Sequence, residues 1–179
     1  MTIGGGGNGD LLVATGALNN VVAAASGNET LSAAGATGNN RLFGGSGADV
    51  IVAGSGHDTI VAGSGASTIF GGAGGTDIFA GAGSAEIVDG AGGDYVQIGG
   101  GDATIFAGSG PDLLGVYNGQ AGGNDLIAGF NNGTDHILLR GYASAPTVTS
   151  QSGSTMIALS DNTTITLLGA SNLAPNTFA

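Results

Sequence analysis

At 179 residues the chain has room for one domain, and 39 glycines with neither tryptophan nor cysteine exclude an aromatic-rich globular core and a disulfide scaffold. Its 13 acidic residues face only Arg41 and Arg140, giving a net charge of −11, so nucleic acid and anionic membranes are excluded because their phosphates would go unneutralised. No apolar run is long enough to cross a bilayer, and MTIGGGGNGD lacks the basic and apolar segments of an N-terminal signal peptide.

In chain order, the first turn-and-strand unit is loose: GGGGNGDLLV (Gly4 to Val13) joins a glycine run to a short aliphatic segment. TGALNNVVA and AASGNETLS (Thr15 to Ser32) follow at nine-residue spacing, Ala33 and Ala34 read as an insertion, and GATGNNRLF (Gly35 to Phe43) restores the register. From Gly44 to Gly115 the period is strict over eight units: GGSGADVIV, AGSGHDTIV, AGSGASTIF, GGAGGTDIF, AGAGSAEIV, DGAGGDYVQ, IGGGDATIF and AGSGPDLLG. Glycine holds the second and fourth places of each unit, and a large aliphatic holds the eighth, from Ile51 to Leu114. Two glycines one residue apart suit a tight turn and weaken a helix. The β-branched and aromatic residues after them suit a short strand whose middle side chain faces inward. Two units then make one coil of a flattened spiral, with units n and n+2 stacked at the ~4.8 Å strand spacing. Roughly twelve units predict about six coils and a rod on the order of 30 Å long.

Beyond the array, Thr155 to Leu159 and Thr163 to Leu168 alternate apolar and polar residues around Ser160, Asp161 and Asn162, which predicts a hairpin. Phe130, Ile137, Leu139 and Phe178 are then available to cover the C-terminal coil, since a solenoid end needs a cap. The predicted fold is all-β: a parallel β-roll, or β-solenoid, of nonapeptide repeats with a C-terminal β-hairpin cap.

The nonapeptide resembles the RTX repeat of haemolysin-type calcium-binding proteins, whose consensus G-G-x-G-x-D-x-U-x has an acid sixth and an aliphatic eighth. The resemblance implies a parallel β-roll with calcium held at its edges between turns of successive coils. GGNDLIAGFNNGTDHILLRGY (Gly122 to Tyr142) is similar to the stretch that closes such rolls. GSTMIALSDNTTITLLGASNLAPNTFA (Gly153 to Ala179) is similar to a terminal hairpin and tail read by type I secretion machinery, the alternative being a cap alone. Carried over, the likeness implies a secreted, extracellular bacterial protein with Ca2+ as cofactor. Residues 1–128 would form the roll, and 129–179 a cap with the export signal.

The chain departs from that consensus at the sixth place, which carries Asp49, Asp58, Ser67, Thr76, Ala85, Asp94, Ala103 and Asp112. Alternate units share an edge, so one edge reads Asp49, Ser67, Ala85, Ala103 and is not expected to form a paired site. The other reads Asn40, Asp58, Thr76, Asp94, Asp112. There Asp94 and Asp112 are successive, with the turn carbonyls of Gly90, Gly92, Gly108 and Gly110 nearby, the hard oxygen donors that calcium takes. Left unneutralised, two charges at one strand spacing repel by about 1 kcal/mol in water and more near a protein surface. Asp58 joins this metal set and Asp125 is a further acid of the same kind. The alternative is that these aspartates only solubilise the turns.

On the outward faces, the ninth place builds a column of Val52, Phe70, Val88 and Phe106, an apolar patch that a soluble monomer normally avoids. His57 and His136 lie far apart in the sequence, without a second imidazole or a thiol beside them, and no Ser, His and Asp stand at a spacing that builds a triad. No catalytic residue and no enzyme are therefore expected. The leading reading is a structural protein that self-assembles into an extracellular fibre, matrix or surface coat, with itself and the type I secretion machinery as partners. The alternatives are a calcium-responsive folding and export module of a larger secreted enzyme or toxin, or a surface-, ice- or polysaccharide-binding solenoid. Against the last, the seventh place lacks a uniform threonine row.

Overall fold

Glycine-rich turns deliver strands of three to seven residues, and up to the C-terminal hairpin successive strands fall alternately into two sheets. The computed structural model describes residues 1–179 and contains no helix. One sheet holds β1 (Thr2–Gly4), β3 (Val21–Ala23), β5 (Arg41–Phe43), β7 (Asp58–Val61), β9 (Thr76–Phe79), β11 (Tyr95–Gln97), β13 (Leu113–Tyr117) and β15 (His136–Arg140), in that order and all parallel. The other stacks β2 (Leu11–Gly16), β4 (Thr30–Ala36), β6 (Asp49–Val52), β8 (Ser67–Phe70), β10 (Ala85–Val88), β12 (Ala103–Phe106) and β14 (Asn124–Ala128) in parallel. It ends in β18 (Thr164–Leu168), parallel to β14, then β17 (Ser154–Ala158) and β16 (Thr147–Gln151), which are antiparallel.

The predicted roll is therefore present, with about seven turns where six were expected. The extra length comes from the C-terminal stretch, whose β15 stacks on β13 and whose β18 stacks on β14. In the strict array, register partners lie two units apart, as in Asp49 opposite Ser67 and Arg41 opposite Thr59. Earlier the step is two residues longer, with Val21 opposite Arg41 and Thr30 opposite Val50; Ala33 and Ala34 lie inside the lengthened β4.

Side-chain alternation puts the eighth place inside, and Leu31, Ile51, Ile69, Ile87 and Ile105 on one sheet face Leu42, Ile60, Ile78 and Leu114 on the other, all at most 1% exposed. Full burial of each stabilises the roll by roughly 1.5–3 kcal/mol. The same period of two carries the sixth and first places inward as well, so Ala53, Ala62, Ala80 and Ile98 join the core. A strand with only its middle residue inside was expected; the alternation instead continues through the corner into the turn.

The turns need glycine for two different reasons. Gly63, in the second place, has φ +97°, a left-handed backbone that L side chains rarely adopt. Gly65, in the fourth, would place a Cβ 1.7 Å from the Gly47 carbonyl oxygen of the coil before it, so stacked turns leave no room for a side chain. At the C-terminal end Phe130 and Ile137 are buried, and Phe178 bridges to Ile137 beside the partly buried Leu139.

Candidate metal centre

Because the sixth place points inward, its acids are interior groups and do not solubilise the turns. Asp49, Asp58, Asp94, Asp112, Asp125 and Asp135 are all at most 2% exposed. Each reaches the main chain of the preceding coil. Asp58 Oδ1 accepts Asn40 N–H (2.6 Å), Asp94 Oδ1 accepts Thr76 N–H (2.6 Å), Asp112 Oδ1 accepts Asp94 N–H (2.9 Å) and Asp125 Oδ1 accepts Ala103 N–H (2.9 Å). A buried N–H left unpaired is costly, so these carboxylates tie coil to coil where strand hydrogen bonds end.

The second oxygen separates two kinds of acid. Asp58 Oδ2 accepts Gly54 N–H (2.7 Å) of its own turn and Asp135 Oδ2 accepts Asn131 N–H (2.7 Å), so both are saturated by the protein. Asp58 Oδ1 also accepts the Asn40 side-chain amide (2.8 Å). In Asp49, Asp94, Asp112 and Asp125, Oδ2 is buried without a hydrogen-bond partner. Burying a carboxylate oxygen unpaired is expensive unless a cation meets it.

The predicted pair is brought together. Oxygens of Asp94 and Asp112 lie within 4.8 Å of each other and of a third carboxylate, Asp89, which the sequence reading did not single out. Asp89 occupies the first place of its unit, a position that looks like turn in the sequence but faces the interior. Asp58 stands outside this cluster. Of the four predicted carbonyls, Gly90 accepts Ser109 N–H (3.1 Å), while Gly92, Gly108 and Gly110 accept no hydrogen bond.

The charge state of the site reflects burial. Desolvation pushes Asp89 up to about 8, reinforced by Asp112 and Asp94 and offset in part by the Gly108 and Gly90 amide dipoles. Burial lifts Asp94 to about 6 against the Thr76 N–H, which favours the anion. Asp112 is raised by burial too, and Asp125 reaches about 7 for the same reason.

The edge expected to lack paired acids has a pair at its start. Glu29, in the sixth place of AASGNETLS, is 2% exposed, and its main-chain N–H donates to Asp49 Oδ1 (2.8 Å). Both Glu29 carboxylate oxygens and Asp49 Oδ2 are buried without partners, and burial beside Asp49 raises the Glu29 pKa. The nine-residue register shows this site once units before Gly44 are included.

Hard, anionic oxygens without protein partners fit calcium by the chemistry of the donor set. Asp94, Asp112 and Asp89 would hold the ion at one edge, and Glu29 with Asp49 at the other; bound there, it would neutralise carboxylates that otherwise repel. His57 and His136 do not join either group. His136 lies at the far end of the roll, its Nδ1 2.8 Å from the Asn176 carbonyl oxygen.

Stacked parallel coils with acids inside their turns define a β-roll whose free carboxylate oxygens suit calcium. The family model of the RTX calcium-binding nonapeptide repeat matches in four copies, over segments 24–60, 34–69 and 52–84, and the chain carries these repeats. The extracellular lipase LipA from Serratia marcescens superposes with a TM-score of 0.41 at 14% identity, over 97% of this chain and 39% of the lipase. This chain thus spans about two fifths of that protein's length. No curated protein matches the sequence. No helix is long and apolar enough to cross a membrane.

Proposed function

We propose that this chain is a secreted structural β-roll, supported by calcium, that assembles with copies of itself into an extracellular fibre, matrix or coat. The observation that carries this reading is an outward apolar column in strict register. Val52 lies opposite Phe70, Phe70 opposite Val88, Val88 opposite Phe106, and the line continues through Ala128 to Leu168. Phe70 is 39% and Phe106 43% exposed, on a face with no charged residue in that column. Burying such a stripe between two rolls gains about 25 cal/mol per Å² before the cost of ordering.

In this reading residues 1–128 are the roll proper and 129–179 a cap with the signal read by type I secretion machinery. The cap extends both sheets through β15 and β18 before closing them. No residue is assigned a catalytic role. The seventh-place residues beside the column, Val50, Thr68, Glu86 and Thr104, do not form the uniform threonine row of an ice-binding face.

A second reading, a calcium-responsive folding and export module of a larger secreted protein, is favoured by the buried unpartnered carboxylates. Light scattering and electron microscopy of the purified chain at high concentration, with calcium and with chelator, separate the two. Calcium-supported fibres or sheets uphold the structural reading; a monomer that folds on calcium without assembling upholds the module.

A further inference from the structure

Asp89 breaks the pattern of its own position. The first place of the nonapeptide faces the interior and holds glycine, alanine or isoleucine in the other seven strict units. Asp89 is 0% exposed, and neither of its oxygens has a hydrogen-bond partner. It flanks the same glycine turn as Asp94, whereas Asp112 closes the turn stacked beyond it. Their oxygens converge within 4.8 Å, with Oδ2 of Asp94 and of Asp112 also unpartnered. Space is kept for this carboxylate: a Cβ on Gly108 would lie 2.8 Å from Asp89 Oδ1. Neither Arg41 nor Arg140 lies on a strand that borders these turns.

We infer that Asp89 completes a three-carboxylate calcium site inside the roll, with Asp94 and Asp112, and that this is the tightest calcium site in the chain. The inference rests on the calcium-supported reading above and deepens it. An ordinary repeat turn contributes one acid from the sixth place; here one turn contributes two, and its neighbour a third. Calcium affinity rises with the number of charged ligands, and that number is greatest here. The Glu29 and Asp49 pair offers two carboxylates, and Asp58 and Asp135 are occupied by backbone N–H groups. Calcium at this point joins the turn that enters β11 to the turn that enters β13, so the middle of the roll orders with the ion.

The experiment is calorimetric titration of calcium into the wild type, Asp89→Ala, Asp89→Asn and the exposed-acid control Glu86→Gln, with thermal unfolding followed by circular dichroism in chelator and in calcium. Both Asp89 variants are expected to lose the tightest binding step, with affinity for it falling about tenfold or more, and Glu86→Gln to titrate as wild type. In chelator Asp89→Ala is expected to melt above the wild type, because it restores the alanine used elsewhere at this place, and to gain less from calcium. A wild type that binds calcium while both Asp89 variants give the same isotherm overturns the inference and leaves the calcium reading standing. An Asp89→Ala variant that melts below the wild type in chelator overturns it too, since the carboxylate then acts as a structural partner. No heat and no thermal shift in the wild type overturns both.

Discussion

The Glu29 main-chain N–H donates to Asp49 Oδ1 at 2.8 Å, one coil away, and Asp94 makes the same bond to Asp112 at 2.9 Å on the opposite edge. The two edges thus share one device. Asp49 and Asp112 each spend Oδ1 on the backbone of a neighbouring coil and leave Oδ2 buried and free. Where the acid is replaced, as in Ala85 and Ala103, the device is missing and so is the metal donor. Paired acids with free buried oxygens therefore stand at the start of one edge and toward the end of the other, and Asp125 adds a single one beyond Ala103.

Removing both Asp94 and Asp112 by alanine should abolish the strongest calcium heat while leaving a weaker event at Glu29 and Asp49. Calorimetry measures it; isotherms that match the wild type would remove the site assignment. Affinity for the weaker event is expected in the ~10⁻⁴–10⁻³ M range of extracellular modules.

Asp58 should behave differently. Its carboxylate already accepts three hydrogen bonds, from Asn40 N–H, the Asn40 side-chain amide and Gly54 N–H. Asp58→Ala should cost about 1–3 kcal/mol in urea unfolding, equally with calcium and with chelator. A loss of bound calcium without a loss of metal-free stability would make it a ligand instead.

Without metal, stability should fall as pH rises. Asp89 at about 8 and Asp125 at about 7 both stand above the unfolded value of 3.8, so between about pH 4 and pH 8 the folded chain binds more protons than the unfolded one. Proton uptake favours the folded state, and this contribution is lost progressively through that window. Thermal melts in chelator should therefore be higher at pH 5 than at pH 8, and saturating calcium should shrink or reverse the difference. A chelated protein more stable at pH 8 contradicts the assignment.

Phe70→Ser with Phe106→Ser should weaken self-association without unfolding the roll, because both side chains point out while Ile69 and Ile105 hold the interior. Analytical ultracentrifugation with calcium reads the association and circular dichroism the fold. An unchanged assembly in the double variant would move the contact to another surface.

Inside, Ile69→Ala should cost about 2–5 kcal/mol, the range for a buried aliphatic whose site cannot collapse. The stacked backbone on both sides, Ile51 and Ile87 in register with it, prevents that collapse. Urea unfolding checks it, and a cost below 1 kcal/mol would mean the interior is loosely packed.

The nine-residue period determined the two sheets, the pairing of unit n with n+2, the Ile ladder and the division of sixth-place residues between edges. Those follow from local rules, because glycine sets the turn and alternation sets the faces. The Asp94 and Asp112 pair, the outward Phe70 and Phe106 and the terminal hairpin were legible for the same reason. What only the tertiary structure decided is which oxygens are left over. Asp58 and Asp94 occupy the same place in the repeat, yet Gly54 N–H closes on Asp58 Oδ2 while no N–H meets Asp94 Oδ2. Asp89 reads as part of a turn and Glu29 as part of a degenerate unit until stacked coils carry both inside. Hydrogen-bond saturation depends on neighbours a coil away in space, and no one-dimensional pattern contains it.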